Sequence, residues 1–221
     1  MIRIEKILNE LSRERPIFHS EADFKYALAW KIHEKYPDLK IRPEKRIDLK
    51  SRKIRPDFII HKGNDTDIVA IETKYKTKDI NIKVSGEKFD LKRHSAPNDN
   101  RYYFVKDISR IEGLLEEYPK GYGFVIFLTN DDSYWEKKSQ RADHPDDEDF
   151  RIYESRVIEG QLKWKTGARE ATLKGKYTLN WREYSNLKEY SDSTEKNIRF
   201  RYLLVEVASG RNSQNALAQK D

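Results

Sequence analysis

The chain of 221 residues has 37% charged side chains, against about 25% in ordinary domains, and a formal net charge of +6. Cysteine is absent, which excludes disulfides, thiolate nucleophiles and cysteine-based zinc sites, so any metal must sit on oxygen or histidine. No run of about eighteen apolar residues and no basic-then-apolar leader occurs, so a single-domain, cytoplasmic protein with no membrane partner is expected.

In chain order, Ile4, Ile7, Leu8 and Leu11 recur at helical spacing and predict a helix over 2–13. Ser20 with Asp23 three residues on resembles a capping box. The stripe Phe24, Ala27, Leu28 and Ile32 then runs until Tyr36-Pro37, which puts Glu21 at the first position of a second helix. Residues 39–49 read as extended and polar, 54–61 and 67–75 as two strands around the turn KGNDTD, and 77–100 as irregular. Phe104, Ile108, Ile111 and Leu115 share one face of a third helix over 102–118, and GYGFVIFLTN is a strand buried on both faces. RADHPDDEDF reads as an acidic loop that leaves the core. Tyr177, Leu179 and Trp181 alternate as a strand, RFRYLLVEVA is a closing core strand, and SGRNSQNALAQKD is a disordered tail. The expected class is α/β, a central mixed β-sheet flanked by helices, with one domain over 1–208 and a tail over 209–221.

Charge is unevenly spread. Residues 40–55 hold eight basic residues against Glu44 and Asp48. This segment suits a polyanion, with Arg42, Lys45, Arg46 and Arg52 as phosphate contacts, although a solvated surface would look the same.

The hairpin carries the chemistry. If His61 pairs with Ile68, Asp57 falls opposite Glu72, and Lys74 points to the same face two residues further on. Phe58, Ile60, Val69 and Ile71 occupy the other face. Opposed carboxylates repel, and a divalent cation turns that liability into a site, because hard oxygen ligands suit Mg²⁺. Neither Pro-Asp nor Asp/Glu-x-Lys is informative alone, since each recurs in this chain; their conjunction on one apolar hairpin is.

Pro56-Asp57, then Glu72-Thr73-Lys74 at the end of an apolar strand, with Glu21 on a preceding helix, resembles the PD-(D/E)XK nuclease superfamily, the restriction-endonuclease-like fold. The resemblance covers about residues 20–130. It implies a restriction-endonuclease-like core, and a C-terminal β-rich elaboration over 131–208 is expected beyond the stretch it covers. It implies catalysis by Asp57, Glu72, Lys74 and Glu21, with Asp57 and Glu72 as metal ligands, Glu21 as an auxiliary acid and Lys74 positioning or activating the attacking water. The expected cofactor is Mg²⁺, with Mn²⁺ able to substitute, and the expected activity is that of a DNA endonuclease. Independently of the family, a metal on paired carboxylates can generate hydroxide, neutralise phosphoryl oxygens and assist the leaving oxygen. Arg55 and Lys76 flank the site as phosphate contacts, and Arg101 could extend the track on the third helix.

Rival readings are a non-catalytic nucleic-acid-binding or assembly module with the same fold, and a structural protein whose hairpin charges are superficial. A homodimer is left open. His19, His33, His61, His94 and His144 show no ligand spacing, and the run 146–149 lacks the glycine and spacing of a calcium loop. Trp135, Trp164 and Trp181 could stack on bases but read mainly as packing residues.

Overall fold

A computed structural model describes residues 2–50, 53–61, 63, 67–137, 146–190 and 196–209. The chain opens with α1 (Ile4–Glu14) and α2 (Glu21–Lys35), followed by β1 (Lys40–Pro43), β2 (Ile47–Asp48), β3 (Lys53–Ile54), β4 (Phe58–His61) and β5 (Ile68–Lys76). Next come β6 (Ile80–Val84), β7 (Glu87–Leu91), α3 (Pro97–Leu115), β8 (Tyr122–Thr129), β9 (Arg156–Lys163), β10 (Glu170–Leu179), β11 (Trp181–Asn186) and β12 (Arg199–Ala208). Six strands form a central sheet in the order β1-β4-β5-β8-β12-β11, and three two-stranded ribbons, β2-β3, β6-β7 and β9-β10, stand apart from it.

The sheet is mixed because β5 and β8 run parallel while their other neighbours are antiparallel. A parallel pair needs a crossover, which the β6-β7 ribbon and α3 supply. Both faces are covered, so β5 and β8 bury almost every residue. One face packs Phe58, Ile60, Val69 and Ile71 with Ile7, Phe24 and Leu28 of α1 and α2. The other packs Ile59, Ala70 and Val125 with Phe104, Ile108 and Ile111 of α3. Gly123 permits the latter, since a Cβ there would lie 2.2 Å from Ile111 Cγ2.

The α/β class and the mixed, helix-flanked sheet are as expected, and Ser20 caps α2 by accepting from the Asp23 amide. Several local expectations are overturned. Residues 77–100 contain a hairpin, in which Ser85 and Gly86 both take positive φ and turn Ile80, Ile82 and Val84 back onto Phe89 and Leu91. The third helix starts at Pro97, because proline suits the first helical turn and Ala96 breaks the preceding backbone in the left-handed region. Tyr177 and Leu179 end β10, whereas Trp181 begins β11. Of RADHPDDEDF, residues 141–145 lie outside the described residues, and the remainder does not leave the core. Asp147 and Phe150 are fully buried, the former between Arg101 at 3.1 Å and Arg151 at 3.3 Å. A charge run looks solvated when the cation that neutralises it lies 46 residues away in sequence. The tail expected to be disordered lies, after Ser209, outside the described residues.

Candidate active site on the β4-β5 hairpin

β4 and β5 pair His61 with Ile68 and Phe58 with Ile71, the register that directs Asp57 towards Glu72. Asp57 itself precedes the first residue of β4, and the end of β1 folds over it, with the Glu44 amide donating to its carbonyl at 3.0 Å. Its carboxylate is well ordered by donors. Thr73 donates to Oδ2 from both its amide and its hydroxyl at 2.8 Å, and Lys25 Nζ lies 2.6 Å from Oδ1.

Even-numbered residues of β5 face α3. Lys74 Nζ lies 2.6 Å from Asp107 Oδ2, and Arg110 Nη1 bridges Asp107 Oδ1 at 2.8 Å and Glu72 Oε1 at 3.3 Å. Glu21, at the start of α2, accepts from Lys76 Nζ at 2.8 Å and from the Tyr75 amide at 3.0 Å, which ties the helix N-terminus to the end of β5. Carboxylates Glu21, Asp57, Glu72 and Asp107 thus alternate with Lys25, Lys74, Lys76 and Arg110 where β5 meets α2 and α3.

Glu72 is the strained member. It is 3% exposed, and its Oε1 is buried without a hydrogen-bond donor. Burial first, then the charges of Asp107 and Asp57, push its carboxyl up to about 8, and Arg110 and Lys74 offset only part of this. The Glu21 carboxyl moves the other way: burial opposes ionisation, but the Lys76 ammonium and the Tyr75 amide outweigh it and hold the carboxyl below its usual range. Burial would lower the Lys74 ammonium, yet Asp107 raises it overall, and Asp57 does the same for Lys25.

The hairpin therefore brings together Asp57, Glu72 and Lys74, and α2 brings Glu21 to the same end of β5. Among the described residues, however, no three of histidine, aspartate and glutamate converge as a metal-binding group. The expected phosphate contacts divide. Arg42, Lys45, Arg46 and Arg55 are exposed beside the sheet edge, although Arg46 pairs with Asp48 at 2.9 Å and Lys45 lies 3.3 Å from the His61 ring. Arg52 lies outside the described residues, and Lys76 is engaged by Glu21. Arg101 is 3% exposed, donates to Asn98, Asp147 and the Ser133 carbonyl, and lies over the Tyr134 ring, so a structural role replaces the phosphate contact.

Sequence reasoning missed Asp107 and Lys25. Asp107 follows Phe104 by three residues, so a carboxylate falls beside the apolar stripe of α3. Lys25 follows Glu21 by four and lies beside Phe24. A charge adjoining a buried stripe is the signal that marks both.

Comparison of the chain with protein-family models, curated proteins and solved structures finds no match in any of the three.

Proposed function

We propose that the chain is a divalent-metal-dependent phosphodiesterase, a DNA endonuclease built on a restriction-endonuclease-like PD-(D/E)XK core. The supporting observation is Glu72: a buried carboxyl whose Oε1 has a guanidinium at 3.3 Å but no hydrogen bond, facing two further acids, on the strand that also carries Lys74. A fold that needed only stability would gain from replacing this group, since buried ionisable groups are tolerated chiefly where they are paired or used. The all-oxygen donor set suits Mg²⁺ or Mn²⁺, with Asp57 and Glu72 as holders and Glu21 as the auxiliary acid.

Bound there, the metal supplies Lewis acidity to a phosphoryl oxygen and acidifies a water. The chain does the rest. Thr73 and Lys25 fix the rotamer of Asp57. Asp107 holds Lys74 in place and keeps it protonated, so Lys74 offsets negative charge developing on the phosphoryl group rather than removing a proton. Arg110, between Asp107 and Glu72, pairs with Asp107 and offsets part of the charge that appears on Glu72 when its carboxyl ionises.

One observation favours a second reading, a non-catalytic nucleic-acid-binding or assembly module: each acid of the network already has a cation of the chain within 3.3 Å. Cleavage of supercoiled plasmid in Mg²⁺, beside Mn²⁺ titration calorimetry, separates the two. Lys74→Ala is expected to lower cleavage by about 10²–10³-fold while retaining Mn²⁺ binding. Asp57→Ala is expected to lose both. Wild-type cutting by Lys74→Ala, or undiminished Mn²⁺ affinity in Asp57→Ala, would put the site elsewhere. A wild-type chain that binds DNA but neither binds Mn²⁺ nor cuts it is the second reading.

A further inference from the structure

We propose that the groove between α2 and the edge strand β1 is a path for single-stranded DNA, which stacks its bases on Trp30 and Tyr26 and places its phosphates against Lys40 and Arg42. The inference rests on the nuclease reading only in that it names the form of substrate led to that site.

Trp30 and Tyr26 are 67% and 68% exposed, the most exposed large hydrophobic side chains among the described residues. They stand four residues apart on α2 and so form one ridge along the helix. The other tryptophans are less available: Trp181 is buried, and Trp135 and Trp164 are half-buried. Trp30 meets the His33 ring edge-on at 6.3 Å, and both rings of the ridge keep most of their surface in solvent.

The ridge separates two grooves of opposite character. On the α1 side, a groove of about 440 Å³ holds Glu14, Asp23 and Glu34, whose carboxylates pair with Arg15 and Lys31. On the β1 side, a groove of about 540 Å³ is lined by the same two rings, by Ile41 and Pro43, and by Lys40 and Arg42, with no carboxylate among its described residues. Lys40 and Arg42 are exposed and make no ion pair among the described residues, and Lys45, Arg46, Lys53 and Arg55 continue the exposed basic surface. A cationic rim around an aromatic wall is the complement of a flexible polyanion with accessible base faces. Duplex bases are already stacked on one another and cannot use the rings. A second copy of this chain would set the same uncompensated cations against each other.

The groove also points at the candidate site. Pro43, at its end, pairs with Phe58 beside Asp57, and the next residue, Glu44, hydrogen-bonds to the Asp57 carbonyl. The opposite wall, α2, begins with Glu21, about two and a half turns before Trp30, and carries Lys25 about one and a half turns before it. Both walls therefore run from the acids outward.

The test is binding of fluorescein-labelled (dT)₂₀ and of a 20-base-pair duplex, by anisotropy at low salt in EDTA. Trp30→Ala, an exposed position, is expected to weaken (dT)₂₀ binding by about 5- to 150-fold, the worth of one base stack, and duplex binding less than about twofold. Trp30→Phe is expected to recover most of the loss. Arg42→Ala is expected to reduce the slope of log K against log salt on (dT)₂₀ by about 0.7. The inference is overturned if Trp30→Ala binds (dT)₂₀ within twofold of wild type, if both DNA forms weaken equally, or if the substitution converts a dimer to a monomer in sedimentation. Because binding is read without metal, a chain that holds the single strand through Trp30 yet never cuts leaves this inference standing and removes the catalytic one.

Discussion

Glu72 on β5 and Glu112 on α3 are nearly sealed from solvent, at 3% and 7% exposure, yet their surroundings differ in kind. Glu112 accepts from the Lys174 and Gly175 amides and from the Tyr177 hydroxyl, at 2.7–3.0 Å. Those donors lie where β10 breaks register between Leu173 and Tyr177, so the carboxylate satisfies amides that the irregular ladder leaves over. Glu72 faces two more acids, and its buried Oε1 has the Arg110 guanidinium at 3.3 Å but no hydrogen bond. A buried carboxylate with matched donors clasps two elements together. One surrounded by like charge has no such clasp, and under the proposed function it is the group a metal ion would relieve.

The pH dependence of metal binding sharpens this contrast most. The Glu72 carboxyl, near 8, must lose its proton to act as a ligand, so Mn²⁺ affinity is expected to rise up to tenfold per pH unit below about 8 and then level off. Calorimetry between pH 6 and 9 reads this, and Glu72→Gln is expected to remove the Glu72 contribution together with most of the affinity. Stability runs the opposite way. The folded chain binds the extra proton between the ordinary value of 4.5 and about 8, so the contribution of Glu72 is fully favourable below 4.5 and is lost as pH rises through 8. Glu72→Gln is therefore expected to be at least as stable as wild type at pH 8.

Glu112→Ala tests the other half. It is expected to cost about 1–3 kcal/mol in urea denaturation at any pH near neutrality, because buried amides of β10 lose their acceptor. Equal costs for Glu112→Ala and Glu72→Gln at pH 8 would abolish the distinction. Asp57→Ala belongs with Glu112 in this respect. Relief of carboxylate repulsion would favour the variant, but Thr73 and Lys25 lose their acceptor, and a net loss of about 1 kcal/mol is expected.

Glu21 gives the smallest stability effect. If it serves only the positive end of α2, Glu21→Gln costs about 0.3–1 kcal/mol and leaves plasmid cleavage intact. The expected outcome under the nuclease reading is a fall in cleavage at a nearly unchanged melting temperature. Unaltered cleavage would leave Glu21 as a tie between α2 and the end of β5, with Asp57 and Glu72 as the acids of the site.

Much of this was legible before folding, where local rules suffice. Ser20 and Tyr36-Pro37 bound α2 through capping and proline chemistry, and FIIH and IVAI mark two strands, whereas runs that are apolar on both faces leave the His61–Ile68 register to the fold. The β6-β7 hairpin was equally legible, since apolar residues alternate about Ser85-Gly86, but the surrounding lysines obscured it. The sequence by itself determined the α/β class, the two apolar strands that Asp57, Glu72 and Lys74 adjoin, and the place of Glu21 at the start of α2. Only the tertiary structure decided which cation meets which acid: Lys25 with Asp57, Asp107 with Lys74, Arg101 with Asp147. Those pairs join elements between 32 and 46 residues apart, and no local spacing encodes them. The ionisation of Glu72 depends on the same assembly, because the burial and like charges that raise it exist only once α3 has closed over β5.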